Sequence, residues 1–389
     1  MLPDATAPAA DLTDPLPPVV DLDIRGRAVV RLVDAGTPEL RAIRRQLGPL
    51  PVRDRPAETE PDLTIRFVDR LERPGAVRRI GLDAQLVDDA FVLTRGKRQR
   101  DVRVEVPVGR LGSGPATIVA GRGGAPIPLL LPMLAAGLLA RGVATAHASA
   151  FLVDGRGVLV SGWAKGGKSE TLLAFLTRGA RYVGDEWLFV DPTGPAMFGT
   201  PEPIRLWDWQ LAQVETLRRR VGRGDRLRLI GVDGLSRALS GIGRAGPIGQ
   251  SAVGEAARRA GAIVDRQRSR QFAVEDLFGP AAIHAGPAAI DRVVLVAGST
   301  EDRIRTGVDP AEAAARIAAT SAHELLDLEA LRLAYRHAVP GAPTAGLEAL
   351  EVRLAAIYAR AFADVPIIEV QHRHPPDIAN LHRLIAPAL

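Results

Sequence analysis

Cysteine is absent from the 389-residue chain, and lysine is scarce, with three lysines against 47 arginines. The lack of cysteine excludes disulfide bonds, zinc sites with cysteine ligands and thiol nucleophiles. The chain also lacks an apolar run long enough to span a bilayer, because the most apolar segment, residues 126–144, contains Pro132 and reaches Arg141 too early. The N-terminus has neither the basic start nor the apolar stretch of a secretory signal. We therefore expect a buried helix in this segment and a soluble, cytoplasmic protein without a membrane partner.

Charge and composition are those of an ordinary globular protein. Apolar residues make up 47% of the chain and charged residues 24%, with a formal charge of +5. Because the basic residues reflect a general use of arginine in place of lysine, nucleic acid is not expected as a partner. The length allows one or two domains, and a homo-oligomer is compatible with the sequence.

Patterning divides the chain into three parts of an expected α/β fold. Residues 1–24, rich in Ala, Pro and Asp, predict a disordered tail. Residues 25–125 alternate with the period of two that is typical of strands and predict a β-rich accessory domain, which ends in a Gly- and Pro-rich linker at 121–128. Residues 126–389 alternate strands and helices and predict the main domain. In it, two strands are predicted around a turn at Asp154-Gly155, and the second strand leads into a glycine loop that a helix follows.

A basic helical insert is expected at about 205–270 within this main domain. It carries 14 arginines against six acidic residues. Its patterning predicts helices over residues 207–220 and 251–271.

Two of the three lysines fall in the sequence GWAKGGKS, residues 162–169, which fits the pattern G-x-x-x-x-G-K-[ST]. Glycines let backbone N–H groups turn toward phosphate oxygens, and the helix N-terminus behind them adds positive potential. Lys168 would reach the β- and γ-phosphates as a slender point charge, which the wide guanidinium of arginine replaces poorly. Ser169 would be a Mg²⁺ ligand. The predicted cofactors are ATP and Mg²⁺, held by residues of one loop: Gly162, Lys165, Gly166, Gly167, Lys168, Ser169 and Glu170. For Lys165 a second interpretation, a solvated loop lysine, is favoured.

Two acidic residues follow on the next predicted strand, which spans residues 181–192. Asp185 and Glu186 stand where ligands of an α/β sheet usually bind, beyond the end of a strand. One carboxylate there can accept the proton of an attacking hydroxyl while the other orients it or holds metal. The alternative is an acidic turn without chemistry.

The run from His147 to Asp191 resembles the catalytic domain of bacterial HPr kinase/phosphorylase and its wider group of relatives. The matching elements are His147, GRGVLVSG, GGKSET and RGARYVGDE, in that order. The resemblance implies a P-loop kinase domain of the HPr kinase and PEP carboxykinase type, which transfers phosphate from ATP to a serine hydroxyl. It implies that Asp185 is the general base, that Glu186 is its acidic neighbour and that His147 lies near the phosphates. It also implies Glu202, in PEPIRL, as a metal ligand.

This sequence also departs from the family pattern. The family usually has two aspartates where this chain has Asp185-Glu186, and a small polar pair where it has Trp163-Ala164. The signature of the reverse phosphorylase reaction is not recognisable. The His372-Arg373-His374 stretch is interpreted as a polar strand end instead of a metal site.

The expected function is therefore an ATP-dependent kinase acting on Ser or Thr of a protein or peptide. The excess of arginine at 205–270 favours an acidic acceptor. A small-molecule phosphotransferase of the same fold and a nucleotide-gated binding protein with little catalysis are the alternatives.

Overall fold

A computed structural model of the chain describes residues 16–53, 60–95, 102–193, 196–244, 251–265 and 267–389. Within these residues the protein is a mixed α/β structure built on two large sheets and one short two-stranded ribbon.

Nine strands from the first third of the chain form the first sheet. They are β1 (Val19–Ile24), β2 (Ala28–Val33), β3 (Val52–Arg53), β4 (Leu63–Val68), β5 (Val77–Ile80), β6 (Ala84–Val87), β7 (Ala90–Arg95), β8 (Val102–Glu105) and β9 (Ala116–Gly121). Their order is β3-β1-β2-β4-β9-β8-β7-β6-β5, with β4 parallel to both β2 and β9. In β4, Leu63, Ile65 and Phe67 are buried and alternate with more exposed residues. This is the period of two that the sequence predicted.

The predicted disordered tail over residues 1–24 is too long. Residues 19–24 form β1, where the side chains of Val20, Leu22 and Ile24 are buried against the sheet. Burying three aliphatic side chains is enough to hold this segment in the core. Residues 1–15 lie outside the described part of the chain.

Two helices accompany this sheet, α1 (Thr37–Leu47) and α2 (Leu130–Ala140). The apolar helix predicted within residues 126–144 is confirmed as α2, and Leu134 and Leu138 are fully buried. A Cβ on Gly137 would lie 2.5 Å from the carbonyl oxygen of Asp62, so glycine allows α2 to approach the chain just before β4. Among the described residues, none of the helices is both long enough and apolar enough to cross a bilayer.

The second sheet comes from the remainder of the chain. The remaining strands are β10 (Ala144–Val153), β11 (Arg156–Ser161), β12 (Arg181–Gly184), β13 (Trp187–Asp191), β14 (Ala196–Gly199), β15 (Ile204–Trp207), β16 (Ser269–Phe272), β17 (Ala288–Ala289), β18 (Arg292–Ser299), β19 (Arg303–Thr306) and β20 (Ile367–Arg373). The sheet order is β17-β14-β13-β10-β11-β18-β20-β19, with β12 paired to β10. The strands β11, β18 and β20 run parallel. The predicted hairpin turn between β10 and β11 is confirmed, with φ of 50° at Asp154 and 79° at Gly155.

The helices of this part of the chain lie around the second sheet and in the insert. They are α3 (Lys168–Leu176), α4 (Asp208–Gln213), α5 (Glu215–Arg220), α6 (Arg223–Arg244), α7 (Ala252–Asp265), α8 (Val274–Phe278), α9 (Pro310–Glu324), α10 (Leu326–Ala338), α11 (Leu350–Ala361) and α12 (Ile378–Ile385).

Two helix predictions in the insert need correction. The single helix expected over 207–220 is two short helices, α4 and α5, because Val214 between them has an extended backbone with φ of −125° and ψ of 90°. The helix expected over 251–271 ends at Asp265. The chain then forms β16, whose backbone pairs with β15 in the two-stranded ribbon.

The two sheets share one hydrophobic interior. Leu22 and Ile65 from the first sheet belong to the same buried cluster as Ala146 and Leu159 from the second, with Leu134 of α2 also in it. The predicted linker connects β9 to α2. The core is continuous across that connection, so the division into an accessory and a main domain stays a prediction.

Candidate functional site

The glycine loop, residues 162–167, joins the end of β11 to the start of α3, the strand–loop–helix order that the sequence predicted. Two of its positions leave no room for a side chain. A Cβ on Gly162 would lie 2.2 Å from the carbonyl oxygen of Val296 in β18, and one on Gly167 would lie 2.5 Å from the Nε2 atom of His372. Gly167 also has φ of +105°, which L side chains rarely adopt. The path of the loop therefore depends on glycine at these positions.

Lys168 begins α3 and turns its ammonium group back into the glycine loop. Its Nζ atom donates hydrogen bonds to the carbonyl oxygens of Gly162 at 3.0 Å and Trp163 at 3.2 Å. Burial lowers the pKa of Lys168, and nearby carboxylates, with Glu186 foremost, oppose that shift. Lys168 is thus a buried cation whose partners within the loop are neutral carbonyls.

Two other charged residues, Lys165 in the loop and Glu170 in α3, do not contact the carbonyl groups that bind Lys168. Lys165 is exposed and has φ of 62°. The carboxylate of Glu170 accepts a hydrogen bond from the side-chain amide of Gln210 in α4 at 2.8 Å. Lys165 therefore has the environment of a solvated lysine, and Glu170 connects α3 to the insert. Their contact with a nucleotide stays a prediction.

The acidic pair interrupts what the sequence predicted to be one continuous strand. Asp185 and Glu186 lie between β12 and β13, both of which pair with β10. Glu186 has φ of 66°, in the left-handed region, so the extended backbone cannot continue through it. The break between the two strands brings Asp185 to the first turn of α3. There, the hydroxyl of Ser169 donates to Asp185 at 3.2 Å (Oδ1) and 3.0 Å (Oδ2).

The two neighbouring carboxyl groups have pKa values displaced in opposite directions. Burial, together with the charge of Glu186, raises the pKa of Asp185 to about 7. A hydrogen bond from His147 lowers the pKa of Glu186. Near neutral pH, Glu186 is therefore ionised while Asp185 is poised to gain or lose a proton, a difference that is typical of acid–base sites.

His147, in β10, connects the pair to a third carboxylate. Its Nε2 atom lies 3.1 Å from Oε2 of Glu186, and its Nδ1 atom lies 3.1 Å from Oε1 of Glu324 at the end of α9. The hydroxyl of Thr320 is 3.3 Å from the same Nδ1 atom. Sequence reasoning identified His147 and Glu186 but missed Glu324, because no motif links α9 to β10.

Glu202 lies in the connection between β14 and β15. Its Oε1 atom accepts a hydrogen bond from Thr200 at 2.7 Å, and burial raises its pKa to about 8. The charges of Asp185 and Glu186 contribute to that rise in pKa. In the part of the chain that the structure describes, no group of three His, Asp or Glu side chains is arranged to hold a metal ion. The donors that fit Mg²⁺ best are the adjacent oxygens of Ser169 and Asp185.

Two further residues, His372 beside the loop and Trp163 within it, make contacts that the sequence did not predict. His372, interpreted from sequence as part of a polar strand end, is 1% exposed, and its Nε2 atom lies 2.8 Å from the carbonyl oxygen of Gly166. Trp163 is 56% exposed, and its ring centroid lies 4.8 Å from that of His323 in α9. Neither contact carries a local sequence signal, because each joins the loop to a distant segment.

Comparison with models of known protein families and with curated proteins finds no match for this chain.

Proposed function

We propose that this protein is an ATP-dependent kinase that transfers the γ-phosphate to a hydroxyl group, that of Ser or Thr in a protein or peptide. The observation that carries the proposal is the meeting of Lys168, Ser169 and Asp185 at the first turn of α3. A phosphate-binding loop, a metal-binding hydroxyl and a proton acceptor are the parts that phosphoryl transfer requires. On this proposal the fold is a P-loop domain of the HPr kinase and PEP carboxykinase type, and the use of ATP implies a cytoplasmic location.

Nucleotide binding would use the backbone N–H groups of the glycine loop and the positive end of α3. The ammonium of Lys168 would exchange the carbonyls of Gly162 and Trp163 for phosphate oxygens, which are stronger acceptors because they are charged. The hydroxyl of Ser169 would hold Mg²⁺, which, when bound, neutralises charge on the phosphates.

In the transfer step, the acceptor oxygen forms a bond to the γ-phosphorus while the bond from that phosphorus to the bridging oxygen of ADP breaks. The hydroxyl proton passes to the carboxylate of Asp185. A pKa of about 7 suits this role, because a base works best when its pKa lies near the operating pH. Glu186, held by His147, stays ionised, and its charge helps to raise the pKa of Asp185.

The proposal is tested by transfer of labelled phosphate from ATP into the proteins and peptides encoded beside this gene. Asp185→Asn should abolish transfer while nucleotide binding persists. Asp154→Asn is the matched control, because Asp154 undergoes the same chemical change in the turn between β10 and β11, where asparagine tolerates the positive φ.

Each alternative function predicts its own result in this experiment. Labelling of a small metabolite alone would indicate a small-molecule phosphotransferase. ATP binding without transfer to any acceptor, unchanged in Asp185→Asn, would indicate a nucleotide-gated binding protein.

A further inference from the structure

A pocket of about 530 Å³ lies in the insert, between α4, α5 and α6. Its volume falls within the range of roughly 300–1,000 Å³ that is typical of ligand sites. The function proposed above leaves this pocket unused.

Basic residues dominate the charge of the pocket. Arg218, Arg223 and Arg226 line it, against one acidic residue, Asp208. Arg218 reaches a carboxylate oxygen of Glu215 only at 3.8 Å. Ion pairs of Arg223 or Arg226 with acidic side chains are absent from the described residues.

Other arginines in the insert are paired within the protein. Arg237 forms an ion pair with Asp233, and Arg270 forms one with Asp225. Arg223 and Arg226 therefore bring to the pocket positive charge that no ion pair among the described residues offsets, and an acidic ligand would be its electrostatic complement.

The pocket also has apolar walls that face water. Leu227 is 70% exposed and Ile230 is 50% exposed, one turn apart on α6, while Leu211 of α4 is buried beneath them. Adjacent exposed aliphatic side chains rimmed by charge are typical of surfaces that bind a partner. The ligand should therefore carry aliphatic as well as acidic side chains.

The pocket is connected through α4 to α3, the helix that begins at Lys168. Gln210, in that helix, donates to Glu170 in α3 at 2.8 Å. Gln213, at its end, accepts a hydrogen bond from the backbone N–H of Ile378 at 2.9 Å. A segment bound in the pocket would thus be held at a defined position relative to the glycine loop.

We propose that this pocket docks a segment of the phosphate acceptor in which acidic and aliphatic residues are interspersed. The identification of this ligand as the phosphate acceptor rests on the proposed kinase function. The arginines would pair with its carboxylates, and Leu227 and Ile230 would cover its aliphatic side chains.

The test is direct binding of a fluorescein-labelled peptide that alternates Asp and Leu around a central Ser, measured by fluorescence anisotropy without ATP. Arg226→Glu should weaken binding at least about tenfold. Arg228→Glu is the matched control, because Arg228 lies on the same helix and undergoes the same charge change but does not line the pocket. That control should change Kd by less than about twofold. A second variant, Leu227→Ser, should weaken binding of this peptide but not of one in which Ser replaces every Leu.

Equal weakening by Arg226→Glu and Arg228→Glu would overturn the proposal, since net charge alone would then account for binding. Unchanged affinity in both Arg226→Glu and Leu227→Ser would overturn it as well. Binding of a fluorescent ATP analogue is measured in the same variants and should be unaffected. The protein could bind the peptide in this pocket and yet transfer no phosphate. That result would refute the kinase function, while the pocket would still be a peptide-binding site.

Discussion

The hydroxyl of Ser169 lies 3.0 Å from a carboxylate oxygen of Asp185, so the first turn of α3 and the break between β12 and β13 meet at one point. A group that can hold Mg²⁺ thus lies beside a group that can accept a proton. Because Ser169 lies in a helix and Asp185 lies between two strands of the second sheet, their contact depends on the packing of α3 against β10, β11 and β12.

Nucleotide binding should depend on one lysine of the loop and not on the other. Lys168→Ala removes the buried ammonium group and should weaken binding of a fluorescent ATP analogue at least about tenfold. Lys165→Ala is the matched control and should have little effect, because Lys165 is exposed. Equal losses in the two variants would contradict this assignment of roles.

The rate of phosphate transfer should rise with pH through about 7, as Asp185 loses its proton and becomes able to act as base. The measurement is the initial rate of labelled phosphate transfer across that range at saturating ATP. Asp154→Asn should keep the same profile. A wild-type rate that stays constant between about pH 5.5 and about pH 8 would exclude Asp185 as the base.

Asp185→Asn should stabilise the protein while it abolishes transfer. The pKa of Asp185 is raised to about 7 in the folded protein, so the folded state binds a proton more tightly than the unfolded state does. Its contribution to the free energy of unfolding is therefore present at low pH and is lost as pH rises from about 4 to about 7. Asparagine carries no charge and avoids this loss. Above about pH 7, the variant should exceed the wild type by on the order of 1–3 kcal/mol.

Urea unfolding at about pH 5 and about pH 8 measures this difference. A gap between variant and wild type that grows with pH is expected. A gap that shrinks with pH would show that the carboxylate is stabilised in the folded state, contrary to the direction of its pKa shift.

Gly162→Ala should destabilise the fold and disrupt the loop. Its Cβ would lie 2.2 Å from the carbonyl oxygen of Val296, so the loop or β18 must move. A loss of about 2–4 kcal/mol in the free energy of unfolding is expected, together with weaker nucleotide binding. Gly222→Ala is the control, since a Cβ there meets nothing within 4 Å. Similar thermal stability of the two variants would show that the approach of the loop to β18 is not close.

His372 should support the loop from behind. His372→Ala removes a buried ring whose Nε2 atom lies 2.8 Å from the carbonyl oxygen of Gly166. Affinity for the ATP analogue should fall by about threefold to tenfold, and the melting temperature should also fall. His374→Ala, which changes an exposed histidine two positions along the chain, should alter neither property. Binding of the fluorescent ATP analogue measures the affinity, and thermal unfolding measures the stability.

Local sequence was sufficient to predict the parts of the site that depend on backbone conformation. The glycine spacing predicted the turn between β11 and α3, and the Asp154-Gly155 pair predicted the hairpin before it. Both features need residues with little steric restriction at fixed neighbouring positions. The order of residues also predicted that acids follow α3 on the next strand, although not that Glu186 would interrupt that strand.

Residues that are close together in the chain were enough to identify the loop that carries Lys168 and the acids that follow it. The contact of Glu324 with His147 and the contact of His372 with the loop come from the tertiary fold alone. Those contacts arise because parallel pairing brings β11, β18 and β20 side by side and because α9 packs on β10. The chain between these elements is long, and no local preference encodes which strands become neighbours. That choice follows from the burial of a core that the whole chain shares.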